Sequence, residues 1–391
     1  MFSIPGVIII DGHVQGLSNA RSLGEKGIPV WVCDTSRSIA TYSVFCKGYS
    51  ICPDYNSDDL VLHLIELSRK IDFVGWLLMP SNDHAVRTIS RNKSELEKIF
   101  KVFTSELDII DLIQDKEKLL LFATKYSIPI PKLYDNEFLK NESINEIQYP
   151  IIIRGREGLN FYKLLKQKIF QLNNQEDLKK FRKLILNKNI ENKLLIQELI
   201  SYNLKNTTVS FCAFCSEGKV LTYWIGRKLG EHPIPFGTAT SAVSIHNEEV
   251  RQIGAKLIDK LGYTGICEVE FLLNSTKNEY QLIEMNARTW LWVGLAKRCG
   301  VDFANLTYQF VNNQKVKFPV NYKDEIFWYN PITHFSMIFF LVFNGKFRFL
   351  SIFYIPLFSK KENALFSWRD MKPGFVYLLK IVIYTSMIIC K

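Results

Sequence analysis

Two short stretches near residue 275 hold the side chains best suited to chemistry. Ile266-Cys-Glu-Val-Glu-Phe-Leu-Leu273 and Tyr280-Gln-Leu-Ile-Glu-Met285 read as strands joined by a polar turn, which is a hairpin. Residues two apart on a strand share a face, so Glu268 pairs with Glu270 and Glu284 with Asn286. A face turned to an apolar core would not bury so many carboxylates. Glu270, Glu284 and Asn286 are hard oxygen ligands, the set Mg²⁺ prefers when it also holds substrate phosphates. Arg288 follows where it would neutralise phosphoryl oxygens; a solvated hairpin with ordinary ion pairs fits the same spacing. Lys116, Arg154, Arg227 and Lys228 lie at strand ends or loop edges rather than on helix stripes. Carboxylates and cations together describe a Mg²⁺–nucleotide site, in which metal and cations spread the charge of a transferring phosphoryl group. There is no G-x-x-x-x-G-K-[ST], so the site is not a P-loop.

The elements that position these residues fall into two regions. Residues 4–11 read as a buried parallel strand, followed by Gly12, Gly16, an amphipathic helix over 17–26 closed by Gly27, and a strand over 29–34. That order is a βαβ unit without a G-x-G-x-x-G fingerprint. A helix over 57–70 and a strand over 75–79 repeat it, ending in Pro80-Ser-Asn-Asp83. Asn82 and Asp83 either face a ligand at the strand's C-terminal end or cap the next helix. The second region begins near Leu112. A helix starts at Asp115 and stops before Ile128-Pro-Ile-Pro131, and Tyr149-Pro-Ile-Ile-Ile-Arg154 is a strand ending on a cation, followed by Gly155-Arg-Glu-Gly158. An amphipathic stretch at 175–188, strands at 194–198, 207–215 and 219–226, a Gly/Pro loop at 230–237 and a helix at 248–261 lead to the hairpin, and a last helix covers 289–299.

The order of these pieces resembles the ATP-grasp superfamily, specifically the carboxylate–amine ligases similar to D-aspartate ligase and to the synthetase halves of carbamoyl phosphate synthetase. The carrying motifs are Asp115-Lys116 with Ile128-Pro-Ile-Pro131, Tyr149 to Arg154, Ile196-Gln-Glu-Leu-Ile200, Glu268-Val-Glu-Phe271 and Ile283-Glu-Met-Asn-Ala-Arg288. The last, Glu-x-Asn-x-Arg at a strand end, is the most specific. The resemblance covers residues 1 to about 315 and implies an α/β fold. A Rossmann-like pre-ATP-grasp substrate domain over 1–111 would precede an α+β ATP-grasp nucleotide-binding and catalytic domain over 112–318, with a hydrophobic, basic extension over 319–391. It implies ATP and Mg²⁺, and an amide bond formed from a carboxylate and an amine (an amino acid or amino sugar) through an acyl phosphate. It assigns Lys116 and Arg154 to ATP phosphates, and Gln197, Glu198 and Leu199 to the adenine hinge, where backbone groups would read the purine edge. Glu270, Glu284 and Asn286 become metal ligands, and Arg288, with Arg227 and Lys228, would stabilise the acyl phosphate. Arg154 stands where many relatives have Lys, Ala287 where Pro is common, and the lid stretch 155–163 has only Gly155 and Gly158.

Composition bounds the rest. With 391 residues, 47% hydrophobic and 23% charged, the chain is globular rather than disordered, with room for two or three domains. Its net charge of +10 suits phosphate, nucleic acid or an anionic membrane without choosing among them. The eight cysteines are scattered in apolar runs, as reduced buried thiols are, and Cys212-x-x-Cys215 on a strand would point to opposite faces. No signal peptide and no uninterrupted apolar stretch long enough to span a bilayer is evident, which predicts a cytoplasmic protein. From Pro331 onward, eight Lys or Arg face two acids among dense aromatic runs at 332–343, 347–358 and 375–390. A buried C-terminal helical layer would explain the apolarity but not the charge among those aromatics; an interfacial surface for anionic lipid, at the inner face of the plasma membrane, explains both. The aromatics come in aliphatic runs rather than singly among polar residues, which argues against nucleic acid. A lipid-linked glycan or cell-wall precursor would be the matching acceptor; a soluble ligase making a free dipeptide, or a non-catalytic nucleotide-binding protein, are the alternatives.

Overall fold

The structure is a computed structural model describing all residues except 1, 3, 140–146, 186–187, 189, 201–205, 233–236, 344, 346–358 and 390–391. The central part of the expected Gly/Pro loop and the apolar run 347–358 therefore lie outside the described residues.

The first sheet is parallel because its strands are separated by helices. β1 (Val7–Ile10), α1 (Val14–Gly24), β2 (Val30–Asp34), β3 (Cys46–Ile51), α2 (Asp59–Ile71), β4 (Leu77–Pro80), α3 (Asp83–Arg91), α4 (Lys93–Leu96) and β5 (Lys101–Val102) give the order β3-β2-β1-β4-β5. Every side chain of β1 is buried, as a strand covered on both faces requires. The strand order reverses between β1 and β4, and Asp83 leaves the sheet there, beside the N-cap Asn82 whose side chain accepts from His84 N and Ala85 N.

Helices α5 (Leu107–Gln114) and α6 (Lys116–Lys125) lead to a small antiparallel sheet. β6 (Leu133–Tyr134), β7 (Ile151–Gly155), α7 (Gly158–Leu165), β8 (Ile169–Leu172), α8 (Gln175–Ile185) and β9 (Leu194–Glu198) form it in the order β6-β9-β7-β8. A short helix, α7, occupies the lid stretch. A Cβ on Gly155 would meet Phe161 Cβ at 2.2 Å, so glycine is required where β7 turns into it.

The large sheet comprises β10 (Val209–Ser216), β11 (Lys219–His232), β12 (Thr238–Ser244), β13 (Gly265–Asn274), β14 (Glu279–Asn286), β15 (Phe327–Tyr329) and β16 (Lys361–Asn363), with α9 (Glu248–Leu261) packed on it. Its order is β14-β13-β10-β11-β12-β15-β16. The expected hairpin is β13–β14, and the strand expected to end at 226 runs on to His232. The last helix is shorter than expected, α10 (Val293–Cys299), and a further helix, α11 (Phe303–Val311), follows it. Beyond residue 318 the chain is hydrogen-bonded into this sheet through β15 and β16, and adds α12 (Pro331–Phe343) and α13 (Lys372–Ile389). Among the described residues no helix is long and apolar enough to cross a membrane.

One buried carboxylate fixes the tail to the first sheet. Asp370, 1% exposed, accepts from Arg21 Nε at 2.9 Å, Ser43 Oγ at 2.8 Å and Val44 N at 3.0 Å, while Arg21 Nη2 donates to Leu365 O and Asp370 O. Breaking such a pair from one side strands a charge in the interior. Asp370→Ala is expected to lower the unfolding free energy by about 3–5 kcal/mol, read as a shifted urea midpoint. A loss within the range of a surface change would show that the latch contributes nothing.

Candidate active site

Register builds the site. Across β13 and β14, Glu268 stands opposite Asn286 and Glu270 opposite Glu284; across β10, Ser210 stands opposite Glu270. Directly opposed residues share a face, so the hairpin's polar side chains converge on one wall. The small sheet supplies the other wall through Ile152, Arg154 and Gln197, and α6 adds Lys116 at its first turn. Between them lies a cleft of about 760 Å³, open also to Asp83, His84 and Arg87 of the first sheet's domain.

Glu284 is the crossing point of the three elements. Its Oε2 lies 3.2 Å from Lys116 Nζ and 3.6 Å from Arg154 Nη1. Burial pushes its carboxyl up, but Lys116 and Arg154 outweigh burial and hold it near 2. Arg154 also donates through Nη2 to Ile283 O at 2.8 Å, while its buried Nε has no partner. Glu268 is the opposite case. Burial, then the neighbouring Glu270 charge, push it up to about 8, although it accepts from Ser210 Oγ and Asn286 Nδ2. Glu270 is raised by burial against the pull of Lys228, and makes no hydrogen bond or ion pair among the described residues. Lys228 loses basicity to burial and regains more from Glu270, Glu231, Glu268 and Glu284, in that order.

Arg288 reaches across to the first domain, donating through Nε and Nη2 to the two oxygens of Asp83, each at 2.9 Å, and through Nη2 to Asn286 Oδ1 at 3.2 Å. Asp83 is thus more than a helix-capping neighbour: it presents Arg288 to the cleft in a bidentate grip.

The cleft gathers Lys116, Arg154, Gln197, Leu199, Lys228, Glu270, Glu284, Asn286 and Arg288. It does not include Glu198 or Arg227. Strand alternation turns Glu198 to the far face, where it accepts from Lys132 N and Lys277 Nζ. Its own amide donates to Lys132 O and that of Leu199 to Pro150 O, so neither N–H is left for a purine edge. Arg227 pairs with Val209 and Val243 in the sheet and alternates away from Lys228. Sequence reasoning missed Glu231, which is 2% exposed and 4.0 Å from Lys228. Three residues apart, the two would face opposite ways on a regular strand; irregularities on either side of Gly230 bring them together. Arg87 and Lys168 were also missed, for want of any motif around them.

The residues fit a magnesium–nucleotide complex. Gln197 Oε1 and Arg154 Nε are buried cleft atoms without partners, and Glu270 and Asn286 Oδ1 offer oxygen donors of the type Mg²⁺ takes. Six cations and six carboxylates line the cleft. A balanced lining does not neutralise a triphosphate, so a divalent ion must enter with it.

Comparisons agree with this geometry. Residues 239–317 match the family model described as carbamoyl-phosphate synthase L chain, ATP binding domain. The chain is 21% identical over 301 residues to D-aspartate ligase of Enterococcus faecium (strain Aus0004), covering 73% of this chain and 71% of that one. Of the carbamoyl phosphate synthase large chains it also matches, it spans 20% of the length. Its fold is shared with L-amino acid ligase from Bacillus licheniformis (TM-score 0.59, 13% identity, 80% and 75% of the two chains). It is shared too with N5-carboxyaminoimidazole synthetase from Staphylococcus aureus complexed with ADP (TM-score 0.61, 16% identity, 83% and 81%). Two sheets closing on a cleft lined by charged residues, behind a parallel-sheet domain, define the ATP-grasp fold. The chain has this fold and is similar in sequence to D-aspartate ligase and to the ATP binding domain of carbamoyl-phosphate synthase.

Charge balance makes metal dependence measurable without turnover. Titration calorimetry with ATP is expected to show binding at least about tenfold weaker in EDTA than with Mg²⁺, and Glu270→Gln is expected to erase most of that difference. Equal affinity with and without the ion would exclude the metal from this wall.

Proposed function

We propose that the protein is a carboxylate–amine ligase that makes an amide through an acyl phosphate. The supporting observation is one wall bearing Glu270, Asn286, Lys228 and Arg288 opposite Lys116 and Arg154, with room for a nucleotide and an acid between. An oxygen of the substrate carboxylate attacks the γ-phosphorus of ATP and ADP departs with the bridging electrons. An amine nitrogen then attacks the carbonyl carbon, loses a proton, and inorganic phosphate leaves. Positioning and charge stabilisation carry most of the acceleration. Lys116 and Arg154 bind nucleotide phosphates. Glu270 and Asn286, with Glu284, would hold Mg²⁺, which would supply shielding of the phosphoryl oxygens from the attacking carboxylate. Arg288, fixed by Asp83, and Lys228 meet the negative charge that develops on the acyl phosphate.

The acceptor on this reading is an amphiphile, a lipid-linked glycan or cell-envelope precursor met at the cytoplasmic face of the membrane. Its support is the basic aromatic tail alone. A non-catalytic nucleotide-binding protein is the second reading, favoured by α7 standing where a glycine-rich lid would move.

ADP release is the test, with pooled acids and hydroxylamine as a soluble amine that traps acyl phosphates as hydroxamates. Steady release and hydroxamate formation are expected, and ATP left intact across the pools would support the non-catalytic reading. Arg154→Ala is expected to raise KM for ATP and Arg288→Ala chiefly to lower kcat, because the latter's partner charge appears only during reaction. If both changes move KM alone, the division of roles fails.

A further inference from the structure

Both tail helices leave apolar side chains uncovered, and α12 also buries a stripe. In α12, Met337 and Leu341 are buried against the large sheet, whereas Phe335, Phe339 and Phe343, spaced by four, are 58%, 64% and 80% exposed. In α13 the same separation leaves Phe375, Leu379 and Ile383 outside. Trp368, in the turn before α13, is 96% exposed. Tyr377 of α13 hydrogen-bonds Asn330, the residue preceding α12, so both helices leave the same corner of the molecule. A row of uncovered aromatic rings on adjoining helices far exceeds the scattered apolar residues of an ordinary surface.

Positive charge collects beside this face from two distant parts of the chain. Arg37 lies over the Tyr42 ring at 4.2 Å and the Tyr49 ring at 5.0 Å, and Lys372 lies 5.9 Å from the Tyr42 centroid. Lys380 donates to Arg37 O. Asp370, the acid nearest to Lys372 in sequence, is spent on Arg21, Ser43 and Val44. Among the described residues no ion pair involves Arg37, Lys372 or Lys380. Two cations at the Tyr42 ring and a third on the adjoining backbone, beside an apolar helix, match a layer that is anionic at its surface and hydrocarbon beneath. A second copy of the chain supplies only half of this match, since it would set the same cations against each other.

We propose that the outer faces of α12 and α13, with Trp368, form a docking surface for an anionic phospholipid membrane, and that Arg37, Lys372 and Lys380 bind its headgroup phosphates. The aromatic side chains enter the headgroup–acyl boundary, and among the described residues no helix is long and apolar enough to cross it. Arg37 belongs to the loop after β2, so the contact orients the first domain as well as the tail. The proposal deepens the amphiphilic-acceptor reading: the enzyme would meet its acceptor by resting on the layer that carries it.

Flotation of the full chain with vesicles of phosphatidylcholine alone, and of phosphatidylcholine mixed with phosphatidylglycerol, tests it. The chain is expected to float with the mixed vesicles at low salt, to be released by high salt, and to stay below with phosphatidylcholine alone. The triple change Arg37→Glu, Lys372→Glu and Lys380→Glu is expected to weaken binding at least about tenfold. Lipids brominated in the acyl chain are expected to quench the wild type more than Trp368→Phe. Melting with and without Mg²⁺ and ATP confirms that each variant is folded, and ADP release with hydroxylamine, read on the same preparations, is expected to be unchanged. Failure to float with anionic vesicles overturns the docking surface and leaves the ligase reading standing. Concentration-dependent dimerisation without flotation overturns it in favour of a self-interface. Loss of ADP release with flotation intact overturns the ligase reading alone.

Discussion

Glu284 is the one side chain on which the site's assembly depends. It projects from the large sheet, Arg154 from the small sheet and Lys116 from α6, and its carboxylate meets both cations. Each of the three is partly or wholly withdrawn from water, where an unmatched charge is costly and a matched one is strong. The pair therefore fixes how the two sheets face each other. Of the hairpin carboxylates, Glu284 meets two cations and Glu268 is engaged by Ser210 and Asn286, while Glu270 makes no hydrogen bond or ion pair among the described residues.

The hairpin was legible because its pattern is local. Alternation put Glu268 with Glu270 and Glu284 with Asn286, and the sheet register preserves both pairs. The same alternation read along β9 would have separated Gln197 from Glu198; treating the hinge as one unit hid it. Glu231 was out of reach for a different reason, since the irregularity around Gly230 that turns it toward Lys228 leaves no mark in composition. Asp83 was visible as a strand-end residue, but its bidentate hold on Arg288, 205 positions away, is a product of the fold.

Among the attachments of the parallel-sheet domain to the rest, two charged ones serve different ends. At the cleft, Asp83 grips Arg288, tying the geometry of the first domain to the chemistry. On the other side of α1, Arg21 holds Asp370 and with it the tail. The extension beyond residue 318 is thereby more than an appendage: it closes the edge of the large sheet through β15 and β16 and is anchored to the first domain before its aromatic helices turn outward. A lid position filled by α7, held at its base by Arg156 to Asp115 and Glu117, completes a cleft whose walls are pinned by ion pairs on most sides.

On the proposed function, a nucleotide's phosphates and metal enter between the two sheets at the Lys116–Glu284–Arg154 cluster. A crystal structure with Mg²⁺ and a non-hydrolysable ATP analogue measures this directly. Phosphate oxygens are expected within hydrogen-bond distance of Lys116 and Arg154, with the metal coordinated by Glu270 on the opposite wall. A nucleotide bound elsewhere, or one seated in the cleft with its metal held by none of Glu270, Glu284 and Asn286, would contradict it.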